Sequence, residues 1–545
     1  MKIKYENEIL EIDREITVHD LFVNKVENFN DFVVACKYNN EVKSLNTIIK
    51  EECDIKLVDL TSRDGMRIYA RGLTFIMAMV FKECYPESKV FVKYQLGDAI
   101  YCEAGNIVVT DDVIEKVKNR MKEIVAEKIP FIKKQISKEE ARKLFEDEDV
   151  GRLELIEYRE RDYISVYYCK NYFNSFYGVM PLSTEPIKKF DLNKYHNGFI
   201  IRYSSNFSNE ELPPYRETKK LFNTFNEYED IHDILDVGKV SQLNKIIENG
   251  QIGDLIRTDE ALHEKKIANI ADMIAENKEL KLVLISGPSS SGKTTFAQRL
   301  GMQLKINGLK PVTISLDNYF VDRDKTPLDE FGKYDFESVN AIDLELFNSQ
   351  LTSLLNGEEI ELPEFDFKDG SRKYNGNKLK MEKNTILVVE GIHGLNELLT
   401  SSVAKKNKFK IYISALTVLN VDDYNRISST DSRILRRLVR DNNFRGHSAL
   451  NTLKMWYSIR RGEEKYIFPY QEDADAMFNT SLVYEMGVLK KHAYPLLSAI
   501  ESTEDEYSEA KRLCELLSYF KDIPEDEIPA TSIIKEFVGG GCFRQ

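Results

Sequence analysis

The sequence predicts a multidomain chain, with a doubly wound parallel α/β domain in its second half. A β-rich module and an α+β module are expected in its first half. The chain has 545 residues, which is too long for one hydrophobic core. From Lys281 onward, short apolar runs alternate with helical segments, a pattern typical of a parallel sheet that helices cover on both faces. In residues 1–60, by contrast, short β-rich runs alternate with turn residues.

Residues 1–60 are predicted to form a small β-rich module, in which "YNNE" between two β-rich runs favours a hairpin turn. Residues 61–205 mix the helical run "GLTFIMAMVFKECY" with the strand-like runs "KVFVKYQL" and "YISVYYC" and the charged helical run "SKEEARKLFEDED". This mixture indicates an α+β domain. Residues 206–280 begin at a break around "NEELPPYRETKK" and continue as a helical linker.

Four apolar runs of residues 281–490 are predicted to be buried parallel strands: "KLVLISG", "PVTISLD", "NTILVVEG" and "KFKIYISA". Residues 491–545 are predicted to be a helical C-terminal extension. Its three consecutive glycines, Gly539 to Gly541, favour a flexible end.

Composition narrows the class of protein. The seven cysteines form no CxxC pair, which is typical of a reduced, cytoplasmic protein. No apolar run approaches the ~20 residues of a membrane span, so no membrane contact is expected. The net charge of −14 argues against a general nucleic-acid coat. The seven histidines lack the spacing of zinc ligands.

The segment "SGPSSSGKTT", residues 286–295, has the spacing of a loop that wraps phosphates. It follows a predicted strand and begins a predicted helix, as this motif requires. Lys293 is expected to reach the β- and γ-phosphates, and the Thr294 hydroxyl to bind Mg²⁺. The sequence therefore predicts an ATP and Mg²⁺ site. The other phosphate-binding residues expected in this loop are Gly287, Ser289, Ser290, Ser291, Gly292 and Thr295.

Two carboxylates and a group of arginines follow this loop. Asp317 comes after the second apolar strand and Glu390 ends the third, so both are expected at the edge of the sheet that faces the ligand. A carboxylate there can accept a proton from an attacking hydroxyl or bind Mg²⁺. In "DSRILRRLVRDNNFRGHS", Arg433, Arg437 and Arg440 share one helix face, which predicts a basic lid over the phosphates.

The order of six segments resembles the uridine kinase and phosphoribulokinase family: GPSSSGKTT, SLDNYF, YDFESVNAID, PEFDFKDGSR, VVEGIHGL and RRLVRDNNFRG. The resemblance implies that Asp317 is the general base and that Glu390 is a magnesium ligand. It further implies that Glu337 holds ribose hydroxyls together with Arg437. The same resemblance makes Arg440 and Arg445 lid residues on the triphosphate, and makes Lys293 and Arg437 catalytic together with Asp317.

The acceptor-binding segment departs from that family. Uridine kinases have a tyrosine and a histidine in this segment, where the present chain has Phe365 and Gly370. Phe365 can stack on a base but has no hydroxyl, and Gly370 has no side chain to read a base edge. His447 stands where the family has another lid arginine. Tyr319, Phe365 and His447 complete the expected acceptor-binding set.

The front half resembles two modules of threonyl-tRNA synthetases. Residues 1–60 resemble a TGS domain, which is a β-grasp fold, and residues 61–205 resemble the editing domain. At the positions of that domain's two metal-binding pairs, this chain has Arg71, Phe75, Phe176 and Met180. These four side chains cannot replace a zinc or proton-transfer site. An editing fold without hydrolytic chemistry is therefore expected.

Three functions remain open from the sequence. The first is an ATP-dependent nucleoside kinase that phosphorylates a 5′-hydroxyl, and the second is a kinase of a phosphosugar or another non-nucleoside alcohol. In the third, the front half contacts tRNA or the ribosome and ATP acts as a regulatory switch. A GTPase is disfavoured because the chain lacks an N-K-x-D segment. The sequence leaves a homo-oligomer open.

Overall fold

The computed structural model describes residues 1–146, 150–159, 161–204, 212, 214–366 and 369–543. The N-terminal module is a mixed sheet of order β2-β1-β7-β4-β5, in which β1 and β7 are parallel. The turn of "YNNE" is confirmed, since Asn39 and Asn40 join β4 to β5 with φ of 48° and 60°. The elements are β1 (Lys2–Tyr5), β2 (Glu8–Glu11), β3 (Ile16–Thr17), α1 (Val18–Phe22), α2 (Phe29–Phe32), β4 (Val33–Tyr38), β5 (Glu41–Lys43), β6 (Ile48–Ile49) and β7 (Cys53–Asp59).

The second module is α+β, and its first helix is longer than its apolar run predicted. That helix begins after Ser62, whose hydroxyl accepts a hydrogen bond from the Gly65 N–H at 3.1 Å. Its sheets have the orders β13-β14-β9-β8 and β10-β11-β12. The elements are α3 (Arg63–Cys84), β8 (Lys89–Leu96), β9 (Ala99–Gly105), α4 (Asp111–Ala126), β10 (Ile132–Ser137), α5 (Lys138–Phe145), α6 (Val150–Tyr158), β11 (Tyr163–Cys169), β12 (Tyr172–Asn174), β13 (Phe190–Tyr195) and β14 (Gly198–Tyr203).

The four residues that the resemblance to the editing domain aligns with metal-binding pairs lie in one hydrophobic region around α3. The rings of Phe75 and Phe176 lie 5.8 Å apart, and both rings are buried. Arg71 donates a hydrogen bond to the carbonyl of Val179, the residue before the buried Met180. These four side chains are two phenyl rings, a thioether and a guanidinium. None of them is a good zinc ligand.

Three helices lead from the second module to the large parallel sheet. The boundary predicted at 205 and 206, and part of the break around "NEELPPYRETKK", lie outside the described residues. The predicted linker helix is α9, which begins at Ile252 and packs along the first helix after the phosphate loop. The helices are α7 (Lys219–Ile234), α8 (Val240–Glu248) and α9 (Ile252–Glu276).

The predicted parallel sheet has five strands in the order β16-β19-β15-β20-β21, and every pairing is parallel. Alternate residues of the central strand pack on opposite faces. Val283 and Ile285 join a large cluster with α9, α10 and α12, whereas Leu282 and Leu284 pack with α11. The elements are β15 (Leu282–Ser286), α10 (Lys293–Ile306), β16 (Lys310–Ser315), α11 (Leu344–Leu355), β17 (Glu359–Asp366), β18 (Ser371–Lys380), β19 (Thr385–Glu390), β20 (Lys408–Ser414), α12 (Ser429–Phe444), α13 (Ala449–Tyr466) and β21 (Ala476–Asn479).

The C-terminal extension contains α14 (Glu485–Ser498), α15 (Tyr507–Leu517) and α16 (Lys535–Val538). A flexible end at the three glycines stays a prediction, whereas the segment just before them is packed, with Ile533, Ile534 and Phe537 fully buried. This segment packs against α12 and against the start of α10. Within the described part of the chain, each helix is too short or too polar to cross a lipid bilayer.

Candidate functional site

The phosphate loop connects β15 to α10 at the carboxyl edge of the parallel sheet. Ser290 and Gly292 both have positive φ, of 60° and 83°, and a Cβ at Gly287 would lie 2.0 Å from the Ile413 carbonyl oxygen. Only glycine fits position 287 at that approach. Among the described residues, the N–H groups of Gly292, Lys293 and Thr294 have no acceptor. Unpaired N–H groups at a helix start are suited to phosphate oxygens.

Lys293 lies over its own loop. Its Nζ donates to the carbonyls of Gly287 at 2.9 Å and Pro288 at 3.1 Å. Burial lowers the pKa of Lys293, while the carboxylates of Glu390 and Asp317 act in the opposite direction. The three predicted groups therefore share one electrostatic site, in which the lysine cation balances two carboxylates.

Glu390 and Asp317 lie where the sequence placed them. Glu390 is the last residue of β19, and its Oε1 accepts a hydrogen bond from the Ser315 hydroxyl at 2.9 Å. Asp317 follows β16 on a short 3₁₀ turn and is exposed. Burial, together with the charge of Asp317, raises the pKa of Glu390 above its ordinary value. A carboxyl group held in this way gains from a bound cation, which would stabilise its ionised form.

The lid arginines divide into two groups. Arg437 donates to the Ser289 hydroxyl at 2.6 Å, so it touches the phosphate loop. Arg437, Arg440 and Arg445 surround the fully buried Asp441, at 3.1, 3.0 and 3.8 Å. One carboxylate thus holds three guanidinium groups together and leaves a surplus of positive charge for an anion.

Arg433 and Arg436 play a different part from the predicted lid. Arg436 is buried against Glu485 and Thr480. Arg433 forms a two-pronged pair with Glu463, whose carboxylate also accepts the Ser289 N–H at 2.9 Å. Sequence reasoning missed Glu463, which has no exposed surface. Through these hydrogen bonds, Glu463 of α13 connects α12 to the phosphate loop.

The residues expected to bind the acceptor differ in their burial and in their contacts. Glu337 lies against Gly462 of α13, where a glycine Cβ would meet the Glu337 side chain at 2.3 Å. Tyr319 is buried, and its hydroxyl donates to Gln350 rather than into the site. Phe365 packs near Phe320, with ring centroids 5.7 Å apart. His447 is exposed beyond the end of α12.

Gly370 is required by its surroundings. It has φ of +68°, and a Cβ there would lie 2.8 Å from the Arg323 guanidinium. The residue that departs from the uridine kinase pattern therefore makes room for a cation. His393 lies elsewhere, near Tyr466, with ring centroids 6.3 Å apart; it is buried, and burial lowers its pKa to about 4, so it is neutral.

Glu337 provides a pH-dependent prediction. Burial, with the charge of Glu463, raises its pKa from 4.5 to about 7. Because the folded pKa exceeds the unfolded one, the folded state loses stability as pH rises from about 4.5 through 7. At pH 8 we expect the unfolding free energy of Glu337→Gln to exceed that of the wild type by up to about 3 kcal/mol. The variant should therefore unfold at a higher temperature. At pH 5 the difference should be much smaller.

Thermal unfolding of both proteins without nucleotide at pH 5 and pH 8 measures this effect. Glu11→Gln, on an exposed N-terminal residue, is the control. At each pH it should unfold at the same temperature as the wild type. If Glu337→Gln is stabilised as much at pH 5 as at pH 8, the pKa of Glu337 is not raised.

The C-terminal segment supplies a carboxylate that sequence reasoning missed. Glu536 of α16 accepts the Thr295 N–H at 3.1 Å, at the start of α10. Ile533 packs on Gly292, where a Cβ would lie 2.6 Å from its Cγ2. A carboxylate on this N–H lies where the loop is expected to hold a phosphate oxygen.

We therefore expect Glu536→Gln to strengthen ATP binding about fivefold, which corresponds to about 1 kcal/mol. Removal of a negative charge at the phosphate position should lower KM for ATP and leave kcat nearly unchanged. Steady-state kinetics at varied ATP measures this. Glu527→Gln, on the same extension, is the matched control, and an unchanged KM in Glu536→Gln would exclude competition by the tail.

The side chains and N–H groups fit a nucleoside triphosphate with Mg²⁺. The unpaired N–H groups, Lys293 and the arginines suit the phosphates, while Thr294 and Glu390 are oxygen ligands that Mg²⁺ prefers. Among the described residues, no group of three or more metal-ligating side chains occurs.

Comparison with known proteins agrees with this geometry. Residues 282–484 match the model of the Phosphoribulokinase / Uridine kinase family. A uridine kinase of Ligilactobacillus salivarius is 30% identical over 202 residues, which are 36% of this chain and 85% of that protein. A uridine kinase of Halobacterium salinarum is 28% identical over 192 residues, covering 35% and 76%. A third, of Lactobacillus helveticus, is 26% identical over 204 residues, covering 37% and 88%.

Proposed function

Because the chain belongs to the Phosphoribulokinase / Uridine kinase family through residues 282–484, we propose that it is an ATP- and Mg²⁺-dependent nucleoside kinase. It transfers the γ-phosphoryl group to the 5′-hydroxyl of a nucleoside. The observation that carries this proposal is the meeting of Lys293, Glu390 and Asp317 at the carboxyl edge of the sheet. A phosphate-holding cation, a carboxylate for Mg²⁺ and an exposed carboxylate are the parts that phosphoryl transfer needs.

Each residue has a role in the proposed reaction. Lys293, Arg437 and Arg440 stabilise negative charge on the transferring phosphoryl group. Thr294 and Glu390 hold Mg²⁺, which supplies further charge neutralisation when it is bound. Asp317 accepts the proton of the attacking hydroxyl, and Glu337 holds neighbouring hydroxyls of the acceptor. Catalysis here is mainly positioning and charge stabilisation.

A second acceptor class is supported by one observation. The Arg323 guanidinium lies against Gly370, where the uridine kinase pattern has a base-reading histidine. A cation at this place favours an acceptor with a phosphate or carboxylate over a neutral pyrimidine. The alternative proposal is therefore a kinase of a phosphosugar or a similar charged alcohol, with the same phosphoryl-transfer residues.

The experiment that tests the proposal is an acceptor panel. The purified chain is incubated with Mg²⁺, γ-labelled ATP and, in separate reactions, four nucleosides, free pentoses and pentose phosphates. Transfer of label to a nucleoside supports the first proposal, and transfer only to a pentose phosphate supports the second. If no acceptor takes the label while the protein still binds ATP, both proposals fail.

The first 205 residues are proposed to keep the two synthetase-like folds predicted from the sequence. This proposal is supported by the closeness of four residues, Arg71, Phe75, Phe176 and Met180. The resemblance to the editing domain requires these positions to be neighbours. Their chemistry excludes zinc-assisted hydrolysis by these four residues. The front half is therefore proposed to bind rather than to hydrolyse.

A further inference from the structure

A second cavity lies between the α+β module and the parallel-sheet domain. Its volume is about 570 Å³, and its walls come from α3, from the segment 421–431, from α13 and from α15. None of the predicted phosphate-loop or carboxylate residues lines it. It is therefore separate from the proposed ATP site, although both lie beside α13.

Arginines dominate one wall of this cavity. Arg63, Arg67 and Arg71 lie at i, i+4 and i+8 of α3, so they share one face of that helix. Most carboxylates of the wall already pair with other arginines, whereas the exposed Asp98 forms no ion pair among the described residues. Glu509 accepts from Arg67 at 3.0 Å and from Arg512 at 3.0 Å, and Arg512 also pairs with Asp431.

Three cations remain without a carboxylate. In the part of the chain that the structure describes, Arg63 has no hydrogen-bond or ion-pair partner. Arg71 donates to a backbone carbonyl, and Arg426 donates to the Gln95 side chain at 2.9 Å. Burial lowers the pKa of Arg63 and of Arg71 to about 10, so both are still cations at neutral pH. Half-buried, unneutralised arginines in a chain of net charge −14 indicate a site for an anion.

Aromatic rings line the same cavity. Tyr177, Tyr203 and Tyr424 are half-buried there, and Tyr457 of α13 is 63% exposed. Tyrosine rings offer faces on which a flat base stacks. The wall therefore combines guanidinium groups, which suit a phosphate, with ring faces, which suit a base.

We propose that this cavity binds one free nucleoside phosphate, with its phosphate on Arg63, Arg71 and Arg426 and its base against the tyrosines. The volume suits a single nucleotide, since sites for small ligands are of about 300–1,000 Å³. A free mononucleotide is favoured over the end of an RNA chain, because the strongly acidic protein would repel the rest of a polyanion. This inference does not depend on which alcohol the kinase site phosphorylates.

The cavity is connected to the phosphate loop through one helix. Arg460 of α13 lines the cavity and donates to Glu463 at 3.0 Å. Glu463 in turn accepts the Ser289 N–H of the phosphate loop. Arg460 and Glu463 therefore link the wall of the cavity to the phosphate loop.

The experiment uses the full chain with Lys293→Ala, which weakens binding at the phosphate loop. Equilibrium dialysis with radiolabelled UMP, UTP and ATP should show one bound nucleotide per chain for at least one of them. Added in this background, Arg63→Glu and Arg426→Glu should each weaken binding by about 10- to 100-fold, because each removes a charge-assisted contact and adds a like charge. Arg14→Glu, on an exposed residue distant in sequence, is the charge-matched control and should bind as before.

Thermal unfolding checks that each variant is folded, and Arg63→Gln serves as a milder change that should still weaken binding about tenfold. Three results would overturn the proposal. The first is that none of the three nucleotides binds at millimolar concentration. The second is that folded Arg63→Glu and Arg426→Glu bind as tightly as Arg14→Glu. The third is that only an oligoribonucleotide binds, which would make the cavity an RNA site.

Discussion

Asp317→Asn is expected to lower kcat for acceptor phosphorylation by about 10²- to 10⁴-fold, the usual contribution of a general base. The carboxylate follows β16 on a short turn and lies in the electrostatic site of Lys293 and Glu390. Asparagine keeps the size and can donate a hydrogen bond, but it cannot take the proton of an attacking hydroxyl. Because Asp317 is exposed, the fold should keep its stability.

Initial rates at saturating ATP and acceptor measure this loss, and ATP titration should show an unchanged affinity within about threefold. Asp324→Asn is the matched control, since that aspartate is also exposed and lies on the same connection after β16. Its kcat should stay within about twofold of the wild type, as expected of an exposed substitution. An equal loss of kcat in Asp317→Asn and Asp324→Asn would show that Asp317 is not the general base.

Glu463→Gln is expected to destabilise the fold by about 3 to 5 kcal/mol, because it leaves the buried Arg433 without its charge partner. Arg433 is 2% exposed and Glu463 is fully buried, so water cannot replace the lost contact. The same change weakens the acceptor of the Ser289 N–H. We therefore expect a higher KM for ATP as well as a lower unfolding free energy.

Chemical denaturation measures the unfolding free energy, with Glu464→Gln as the neighbouring control on an exposed side chain. The control should change stability by less than about 0.5 kcal/mol. The double variant Arg433→Met, Glu463→Leu should recover stability, since an apolar pair replaces the ion pair, but not the affinity for ATP. Recovery of both would show that Glu463 supports only the fold.

The sequence predicted four of the five strands of the parallel sheet, because the central strands β15, β19 and β20 are buried on both faces, whereas the short edge strand β21 was not predicted. Runs such as "KLVLIS" and "TILVVE" are continuously apolar, and the chemistry-bearing residues follow their ends. Asp317 and Glu390 could be located for this reason alone. The hairpin of β17 and β18 was not predicted, since β18 is mostly exposed and polar and the alternation of β17 is limited to its first four residues, "EIEL".

The residues that hold the site together were beyond sequence reasoning. Asp441 and Glu463 lie within charged helical runs, where burial cannot be seen in a single sequence. Glu536 acts across 241 positions of the chain, on the Thr295 N–H. Such contacts depend on how helices pack, which local periodicity does not encode. The arginine face of α3 was missed because its partner helices come from the other end of the chain.

The most direct measurement of the central claim is product analysis by ³¹P NMR after incubation with Mg²⁺, ATP and the acceptor preferred in the panel. The account predicts ADP and a phosphomonoester in equal amounts, with the phosphorus coupled to the protons of the phosphorylated carbon. For a nucleoside acceptor that carbon is C5′. Formation of ADP and inorganic phosphate at a rate that does not depend on any acceptor would contradict the account.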